Sequence, residues 1–520
     1  MSSLTHESVD ESTLPSGIDA EEVALPGSAA AAAAPPTSNL VSLRMLFSDA
    51  AIYGFASVVD RAIGFLLLPL MTVLLSPSDY GIIGLFTTSA HLAFVVCSLC
   101  IHQSFLRHYT EAGDDESRNS VIGTSIVLAI AYWLAVLPIL IFFAGPLSRL
   151  IFGLSGSELT YVLAAVTVVE TFDALAGNRL QADGRPWALF WIRIGGSLAL
   201  RTAGVIAVLY GAGAWGWILA DALGRMMSAL ILAAVAFRRV RGRANPRLLR
   251  PPASYGAMLV PAMLSFYAMT VTDKFSIRAL APSPLEQVGL YSVGERIAGI
   301  MHLVNLAFIL GWQRFAFRNM HLPGGSQVIG RGLSVFLIGG GYLAMSLALL
   351  GDDLTYWFIS PKFWGGMPVI LPLTIAAYFG GLASAAELGL HKSRSPHTIS
   401  LLNVGAALLN VALNLLAIPR WGIVGAAVAT LIAQAVRLVV IWQASQRHFP
   451  IRLEVGRLSA ALGLFVVMAA AGQALRPFGW TTATAGQLLI VIVTPGVLWA
   501  LPILPAGARQ SVRRAMASLW

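Results

Sequence analysis

Residues 51–81 read AIYGFASVVDRAIGFLLLPLMTVLLSPSDYG. This stretch is long enough to cross a bilayer, which takes about 20 mainly apolar residues in a helix. It nevertheless contains Asp60 and Arg61. A charged side chain at membrane depth costs about 2.5–3.5 kcal/mol or more, so it normally faces protein or water and indicates function. Pro69 predicts a kink, which neighbouring helices can accommodate. A charged and kinked first membrane helix is typical of the wall of a polar pathway.

The composition of the whole chain is that of a membrane protein. Of its 520 residues, 57% are hydrophobic and 11% are charged, and the mean hydropathy is +0.75. The apolar runs are continuous, which favours helices over a membrane β-barrel. The net charge of +9 is explained by Lys and Arg in cytoplasmic loops, since no basic run is interleaved with aromatic residues. We therefore predict an all-α polytopic membrane protein that binds no nucleic acid.

Fourteen apolar stretches have the length of membrane helices. They are residues 51–75, 81–103, 120–144, 158–178, 187–209, 214–237, 255–279, 288–312, 332–350, 367–388, 398–417, 421–443, 458–475 and 485–505. With the N-terminus placed inside, most Lys and Arg fall in loops on the cytoplasmic side. This asymmetry predicts an even number of spans with both termini in the cytoplasm.

A repeat relates the two halves of the chain. Gly81 aligns with Gly289, and the small-residue pattern at 213–220 aligns with that at 422–429, at nearly the same offset of roughly 209 residues. A duplicated six-helix unit contains an even number of spans. The two halves would then share one orientation and be related by an axis along the membrane normal.

The repeat divides the chain into five segments. These are a disordered cytoplasmic tail (1–43), an N-lobe of helices 1 to 6 (44–237), a basic cytoplasmic linker (238–254), a C-lobe of helices 7 to 12 (255–443), and helices 13 and 14 with a cytoplasmic C-terminal tail (444–520). The N-terminal tail is acidic and lacks the basic start and apolar core of a signal peptide. The linker is expected to lie against anionic lipid headgroups, at about 1 kcal/mol per basic residue.

Several motifs resemble one known family. In chain order they are LSPSDYG (75–81), LCIHQSFLRHY (99–109), DKF (273–275), VGLYS (288–292) and AIPRWGIVGAAVAT (417–430). Together they are similar to the polysaccharide exporters and O-unit flippases of the multidrug/oligosaccharidyl-lipid/polysaccharide (MOP) flippase superfamily. The resemblance implies about 14 transmembrane helices, with two six-helix lobes around a central cavity and two peripheral C-terminal helices.

The resemblance also implies a function. Such a protein moves an undecaprenyl-diphosphate-linked oligosaccharide from the inner to the outer leaflet of the bacterial inner membrane, for O-antigen, lipopolysaccharide or exopolysaccharide biosynthesis. Its expected partners are this lipid-linked substrate, membrane lipids and the polysaccharide polymerase or export machinery. The expected mechanism is alternating access, in which two lobes rock about a central site.

A diphosphate that crosses the membrane must lose water, so the pathway needs fixed cations. The arginines inside predicted spans are the candidates to bind it: Arg61, Arg193, Arg201, Arg225, Arg296 and Arg437. For each of them the alternative is a structural pairing with a carboxylate. Arg225 has Asp221 one helical turn before it, whereas Glu295 and Arg296 point about 100° apart on their helix.

Coupling to an H⁺ or Na⁺ gradient would need buried carboxylates, and the candidates are Asp60, Glu170, Asp173 and Glu387. Glu170 and Asp173 lie on one side of helix 4, where their mutual repulsion favours retention of a proton. The alternative is that they pair with Arg193 or Arg201. The asparagines of helix 11 are candidates for sugar binding or for interhelical hydrogen bonds: Asn403, Asn410 and Asn414.

Other classes of function lack their sequence signatures. There is no P-loop and no helical HExxH motif, so we expect neither an enzyme nor a cofactor. Cys97 and Cys100, which we place within one apolar helix, would supply at most half of a zinc site and are expected to pack without metal. The alternatives are a multidrug–cation antiporter of the same superfamily, a lipid II flippase, and a membrane glycosyl polymerase or ligase. The last class usually needs a large outer loop.

Overall fold

The computed structural model describes residues 58–238, 250–393, 396–501 and 503. The predicted tail 1–43, most of the basic linker and the C-terminal tail lie outside them. The described residues are almost entirely helical and form no strand. Among them, 11 helices are long and apolar enough to cross a membrane. The predicted all-α membrane fold is confirmed, and the count of fourteen spans stays a prediction.

The first half of the chain begins with helical residues 58–66. There follow α1 (Leu68–Leu74), α2 (Pro77–Cys97), α3 (Ile101–Glu111), α4 (Asp115–Phe142), α5 (Ala144–Ile151), α6 (Glu158–Ala182), α7 (Pro186–Leu209) and α8 (Gly213–Phe237). The first predicted span is interrupted at Leu67, two residues before Pro69, whose ring removes a backbone donor. A capping box then starts α2, because Ser76 and Asp79 each accept a hydrogen bond from the other's backbone N–H.

The second half contains α9 (Arg250–Leu280), α10 (Pro284–Ala298), α11 (Ile300–Asn319), α12 (Gly325–Phe358), a 3₁₀ helix (Pro361–Val369), α13 (Ile370–Ala386), α14 (Leu388–Lys392) and α15 (Pro396–His448). Two predicted spans fall within α15, which turns at Gly422 with a φ of 55° that suits glycine. The chain continues with α16 (Val455–Leu475), a 3₁₀ turn (Arg476–Phe478) and α17 (Trp480–Ala500). Helices α16 and α17 pack on α12.

Two more predicted spans are divided into separate helices. The span 81–103 breaks between α2 and α3, where Leu99 and Cys100 adopt φ values of 48° and 47°. Non-glycine residues rarely take this left-handed conformation. Cys97 and Cys100 therefore flank a break, and the prediction that they share one continuous helix is wrong. The span 288–312 is divided at Gly299 between α10 and α11.

The main hydrophobic core lies where α2 crosses α10. A Cβ on Gly81 would lie 1.9 Å from the Leu285 carbonyl oxygen, and a Cβ on Gly289 would lie 1.9 Å from that of Pro77. The two backbones thus touch directly, which only glycine allows. Gly81 and Gly289 are the residues that the sequence repeat aligns, so the crossing is a symmetric contact between the repeats. Buried side chains from both halves surround it, among them Leu85, Phe86, Val288 and Phe363.

We predict that Gly81→Ala and Gly289→Ala each lower the melting temperature of the purified protein in detergent. The added methyl would overlap a facing backbone oxygen, and overpacking of this kind costs about 1–3 kcal/mol. Gly339→Ala is the matched control, since a Cβ there meets nothing within 4 Å. If Gly81→Ala melts at the same temperature as Gly339→Ala, the close contact between α2 and α10 does not stabilise the fold.

Candidate functional site

Three of the predicted diphosphate ligands in the N-terminal half form ion pairs with carboxylates. Arg201 Nη2 lies 2.9 Å from Asp60 Oδ1 and thus ties α7 to the helix that precedes α1. Arg193 Nη2 lies 3.2 Å from Asp173 Oδ2. Arg225 contacts Glu170 through Nη1 and, through Nε, lies 2.7 Å from Asp221 Oδ2. Each of these three arginines is thus paired with a predicted coupling carboxylate, and Arg225 is also paired with Asp221.

The carboxylates of Glu170 and Asp173 do not form an isolated pair that shares a proton. Each contacts a different arginine, Arg225 and Arg193 respectively. We expected, as an alternative, that these carboxylates pair with Arg193 or Arg201. Asp173 does pair with Arg193, whereas Glu170 pairs with Arg225 on α8, which we did not predict.

A fourth ion pair lies in the C-terminal half. Arg437 Nη2 is 3.1 Å from Glu387 Oε1, and the two side chains are only 9% and 13% exposed. Arg437 Nε also donates to Asn403 Oδ1 at 2.8 Å. Four of the six predicted diphosphate ligands are therefore paired with carboxylates, which is the alternative that the sequence left open for each of them.

Arg61 and Arg296 differ from the other four. Both are exposed, and within the described part of the chain neither lies within ion-pair distance of a carboxylate. Arg296 lies 5.8 Å from the centre of the Tyr80 ring, which belongs to α2. Its neighbour Glu295 forms an ion pair with Lys274, with 2.7 Å between Lys274 Nζ and Glu295 Oε2. The contact with Tyr80 places Arg296 beside the crossing of α2 and α10.

Asp273 is a buried carboxylate that the sequence reasoning missed. It is 4% exposed and accepts hydrogen bonds from Tyr291 Oη at 2.5 Å, Thr430 Oγ1 at 2.5 Å and Asn414 Nδ2 at 2.9 Å. No Lys, Arg or His of the described residues lies within ion-pair distance of it. The available signal was an aspartate inside a predicted span, within the DKF motif used for the resemblance.

The partners of Asp273 form a wholly polar, uncharged shell. Asn410 Nδ2 donates to Thr430 Oγ1 at 2.9 Å, and Asn414 Nδ2 also approaches Asn410 Oδ1 at 3.2 Å. Both asparagines therefore make the interhelical hydrogen bonds that were one of their two expected roles. Asn414 Oδ1 is buried and has no hydrogen-bond partner among the described residues. A buried carboxylate without a basic partner is a group that can bind a proton or a small cation.

Comparison with known proteins agrees with this architecture. A family model described as "Polysaccharide biosynthesis protein" matches residues 70–306. The solved structure of the lipid II flippase MurJ in an inward closed conformation aligns with 86% of this chain and 99% of its own, with a TM-score of 0.66 and 13% identity. The chain shares the fold of this flippase. The fold expected from the sequence motifs is thus confirmed, as is a multi-pass membrane protein.

Two further MOP-fold structures are multidrug resistance MATE family transporters. The inward-facing one aligns with 78% of this chain and 96% of its own, with a TM-score of 0.59 and 14% identity. The outward-facing one aligns with 79% and 95%, with a TM-score of 0.51 and 15% identity. No protein with a curated description matches the sequence significantly.

We predict that Arg437→Ala destabilises this MOP-fold chain, because it leaves the buried Glu387 carboxylate without its partner. Loss of one member of a buried pair costs about 3–5 kcal/mol, whereas replacement of both by apolar residues is often neutral. Arg437→Met combined with Glu387→Leu should therefore recover most of the lost melting temperature. If Arg437→Ala melts as the unmodified chain does, the pair is not structural and Arg437 again becomes a ligand candidate.

Proposed function

We propose that this protein flips a lipid-diphosphate-linked oligosaccharide across the bacterial inner membrane, for surface or exopolysaccharide biosynthesis. The matching family model for polysaccharide biosynthesis proteins and the MOP fold support a transporter of this kind. The observation that carries the substrate class is the charge distribution: Arg61 and Arg296 are cations without a carboxylate partner in the described structure. The undecaprenyl carrier and the polymerase or export machinery as partners belong to the same proposal.

In this proposal Arg61 and Arg296 bind the diphosphate. A guanidinium group presents two parallel N–H donors that match phosphate oxygens, and it keeps its charge under all conditions of interest. An arginine that is already paired with a carboxylate would have to lose that partner before it could bind a phosphate. We therefore assign a structural role to Arg193, Arg201, Arg225 and Arg437, in place of the diphosphate-binding role expected from the sequence.

The proposed movement is alternating access between the N-lobe (44–237) and the C-lobe (255–443). The contact of α2 with α10 at Gly81 and Gly289 holds the two repeats together at the end of the helices where both α2 and α10 begin. With the N-terminus in the cytoplasm this is the outer end. The two halves also meet near the inner end, where a Cβ on Gly256 would lie 2.3 Å from the Leu99 carbonyl oxygen, so these contacts would have to open in turn.

We propose further that Asp273 couples transport to an H⁺ or Na⁺ gradient. The four carboxylates expected to do so each pair with an arginine, which lowers their capacity to take up a cation. Asp273 has only uncharged partners, and the spare Asn414 Oδ1 fits a small cation, which prefers oxygen ligands. Binding of that cation would neutralise Asp273 and change its hydrogen bonds to α10 and α15. Asp273 and the side chains that bond to it all belong to this chain.

Reconstitution in proteoliposomes tests the substrate assignment. Arg61→Ala and Arg296→Ala should each slow the flipping of a lipid-diphosphate oligosaccharide by about tenfold to a hundredfold, because a hydrogen bond to a charged group contributes about 1.5–3 kcal/mol. Both variants should melt as the unmodified protein does. Arg420→Ala, which removes an exposed arginine elsewhere, is the control and should transport normally.

Two results would contradict this assignment. One is full flipping by both variants. The other is transport of cationic drugs without transport of the lipid diphosphate, which would favour the multidrug–cation antiporter.

The coupling proposal is tested with Asp273→Asn, which removes the charge and preserves the shape. The flipping rate should lose its dependence on an imposed Na⁺ or pH gradient, while binding of the lipid diphosphate stays unchanged. Tyr291→Phe is the matched control, since it removes one hydrogen bond to the carboxylate and leaves the charge in place. Gradient dependence that persists in Asp273→Asn would rule out this residue.

A further inference from the structure

A second basic site lies apart from the proposed transport residues. The C-terminus of α6, the N-terminus of α7 and the C-terminus of α8 enclose a cavity of about 870 Å³. Its lining includes three arginines and one aspartate: Arg179, Asp183, Arg185 and Arg238. Such a volume can hold a polar headgroup of the size of a glycerophosphate.

The charges of the cavity do not cancel. Asp183 is its one acidic lining residue among those described, and its carboxylate already accepts a hydrogen bond from Tyr109 Oη at 2.6 Å. The C-termini of α6 and α8 add about half a negative charge each, and the N-terminus of α7 adds about half a positive charge. Three guanidinium groups outweigh these contributions, so the cavity favours an anion.

Arg179 also has unused hydrogen-bond donors. Its Nε and Nη1 atoms are buried and have no hydrogen-bond partner in the described structure. The nearest carboxylate oxygen, Asp183 Oδ2, lies 3.5 Å from Nε, and the Phe237 ring centre lies 5.8 Å from the guanidinium carbon. Buried donors without acceptors cost free energy, which an anion in the cavity would recover.

Aromatic residues place the cavity at the depth of lipid headgroups. Trp187 and Trp191 lie one turn apart in the first two turns of α7, two and six residues after Arg185, and are 55% and 65% exposed. Exposed tryptophans in membrane proteins concentrate at the membrane–water interface, where the ring meets the headgroup region. A phospholipid whose chains lie along α7 would therefore present its phosphate at the level of Arg185.

We propose that this cavity binds the phosphate group of an anionic phospholipid, at a site separate from the transported substrate. The lipid would connect the ends of α6, α7 and α8 by satisfying the free donors of Arg179 and the charges of Arg185 and Arg238. This inference does not depend on the proposed transport function, because none of these three arginines belongs to the proposed diphosphate site.

Thermal melting of the purified full-length chain in detergent tests the site. Phosphatidylglycerol should raise the melting temperature, and zwitterionic phosphatidylethanolamine and inorganic phosphate should raise it much less. Arg185→Gln combined with Arg238→Gln should remove most of the phosphatidylglycerol effect, measured against the variant's own baseline. The control is Arg318→Gln combined with Arg447→Gln, which removes two exposed arginines outside the cavity and should leave the effect intact. Arg179→Lys, which keeps the charge and loses the fork of donors, should weaken it.

Three outcomes would overturn the proposal. If the control double variant loses as much of the effect as the cavity variant, the lipid acts on general surface charge. If inorganic phosphate stabilises the chain as strongly as phosphatidylglycerol, the site binds free phosphate and the lipid assignment is wrong. Absence of any phosphatidylglycerol effect on the unmodified chain would also refute it. For a variant whose melting temperature is too low to measure, native mass spectrometry of the phosphatidylglycerol that it retains gives the same comparison between cavity and control variants.

Discussion

Neutralisation of charge inside the membrane is the constraint on which the structure depends. A bilayer does not solvate ions, so each charged side chain must find a partner, reach water or bind a ligand. Within the described residues, most of the candidate arginines and all of the candidate carboxylates satisfy one another. The pairs are Arg201–Asp60, Arg193–Asp173, Arg225–Glu170 and Arg437–Glu387. Arg61 and Arg296 remain without a carboxylate partner in this part of the chain, and Asp273 without a basic one; we propose them as the positions for an anionic substrate and a coupling cation.

The four ion pairs and the crossing of α2 with α10 have different structural roles. Each pair joins helices of the same half: three lie before the linker and the fourth lies after it. The contacts between the halves include close backbone packing at Gly81 and Gly289. Contacts of this kind are weakly directional and rest on van der Waals packing. Such a division suits two rigid units that change their relative position, since the strong electrostatic contacts need not break when the units move.

Much of the fold could be predicted from the sequence because apolar length decides where a helix can cross a membrane. The alignment of Gly81 with Gly289 also placed, in advance, two residues that meet in the structure. Helix breaks without proline were harder to predict. The residues around Leu99 and Cys100 include no strong helix-breaking signal. Their left-handed backbone is set by packing, which the local sequence does not encode.

The site was less predictable because pairing depends on contacts between helices. Only Asp221 could be assigned to Arg225 by helical spacing, since the two lie four residues apart. Arg201 and Asp60 are 141 residues apart, and Arg437 and Glu387 are 50 apart, so only the packed structure reveals them as partners. Asp273 was missed for the same reason: its burial comes from α15, which supplies Asn414 and Thr430.

We propose that the paired arginines are structural and that Arg61 and Arg296 receive the substrate. A cryo-electron microscopy structure of the protein with a bound lipid-diphosphate oligosaccharide would show which arginines contact the phosphates. We expect phosphate density against the guanidinium groups of Arg61 and Arg296, with the four ion pairs intact. Phosphate density against Arg193, Arg201, Arg225 or Arg437, with the partner carboxylate displaced, would contradict it.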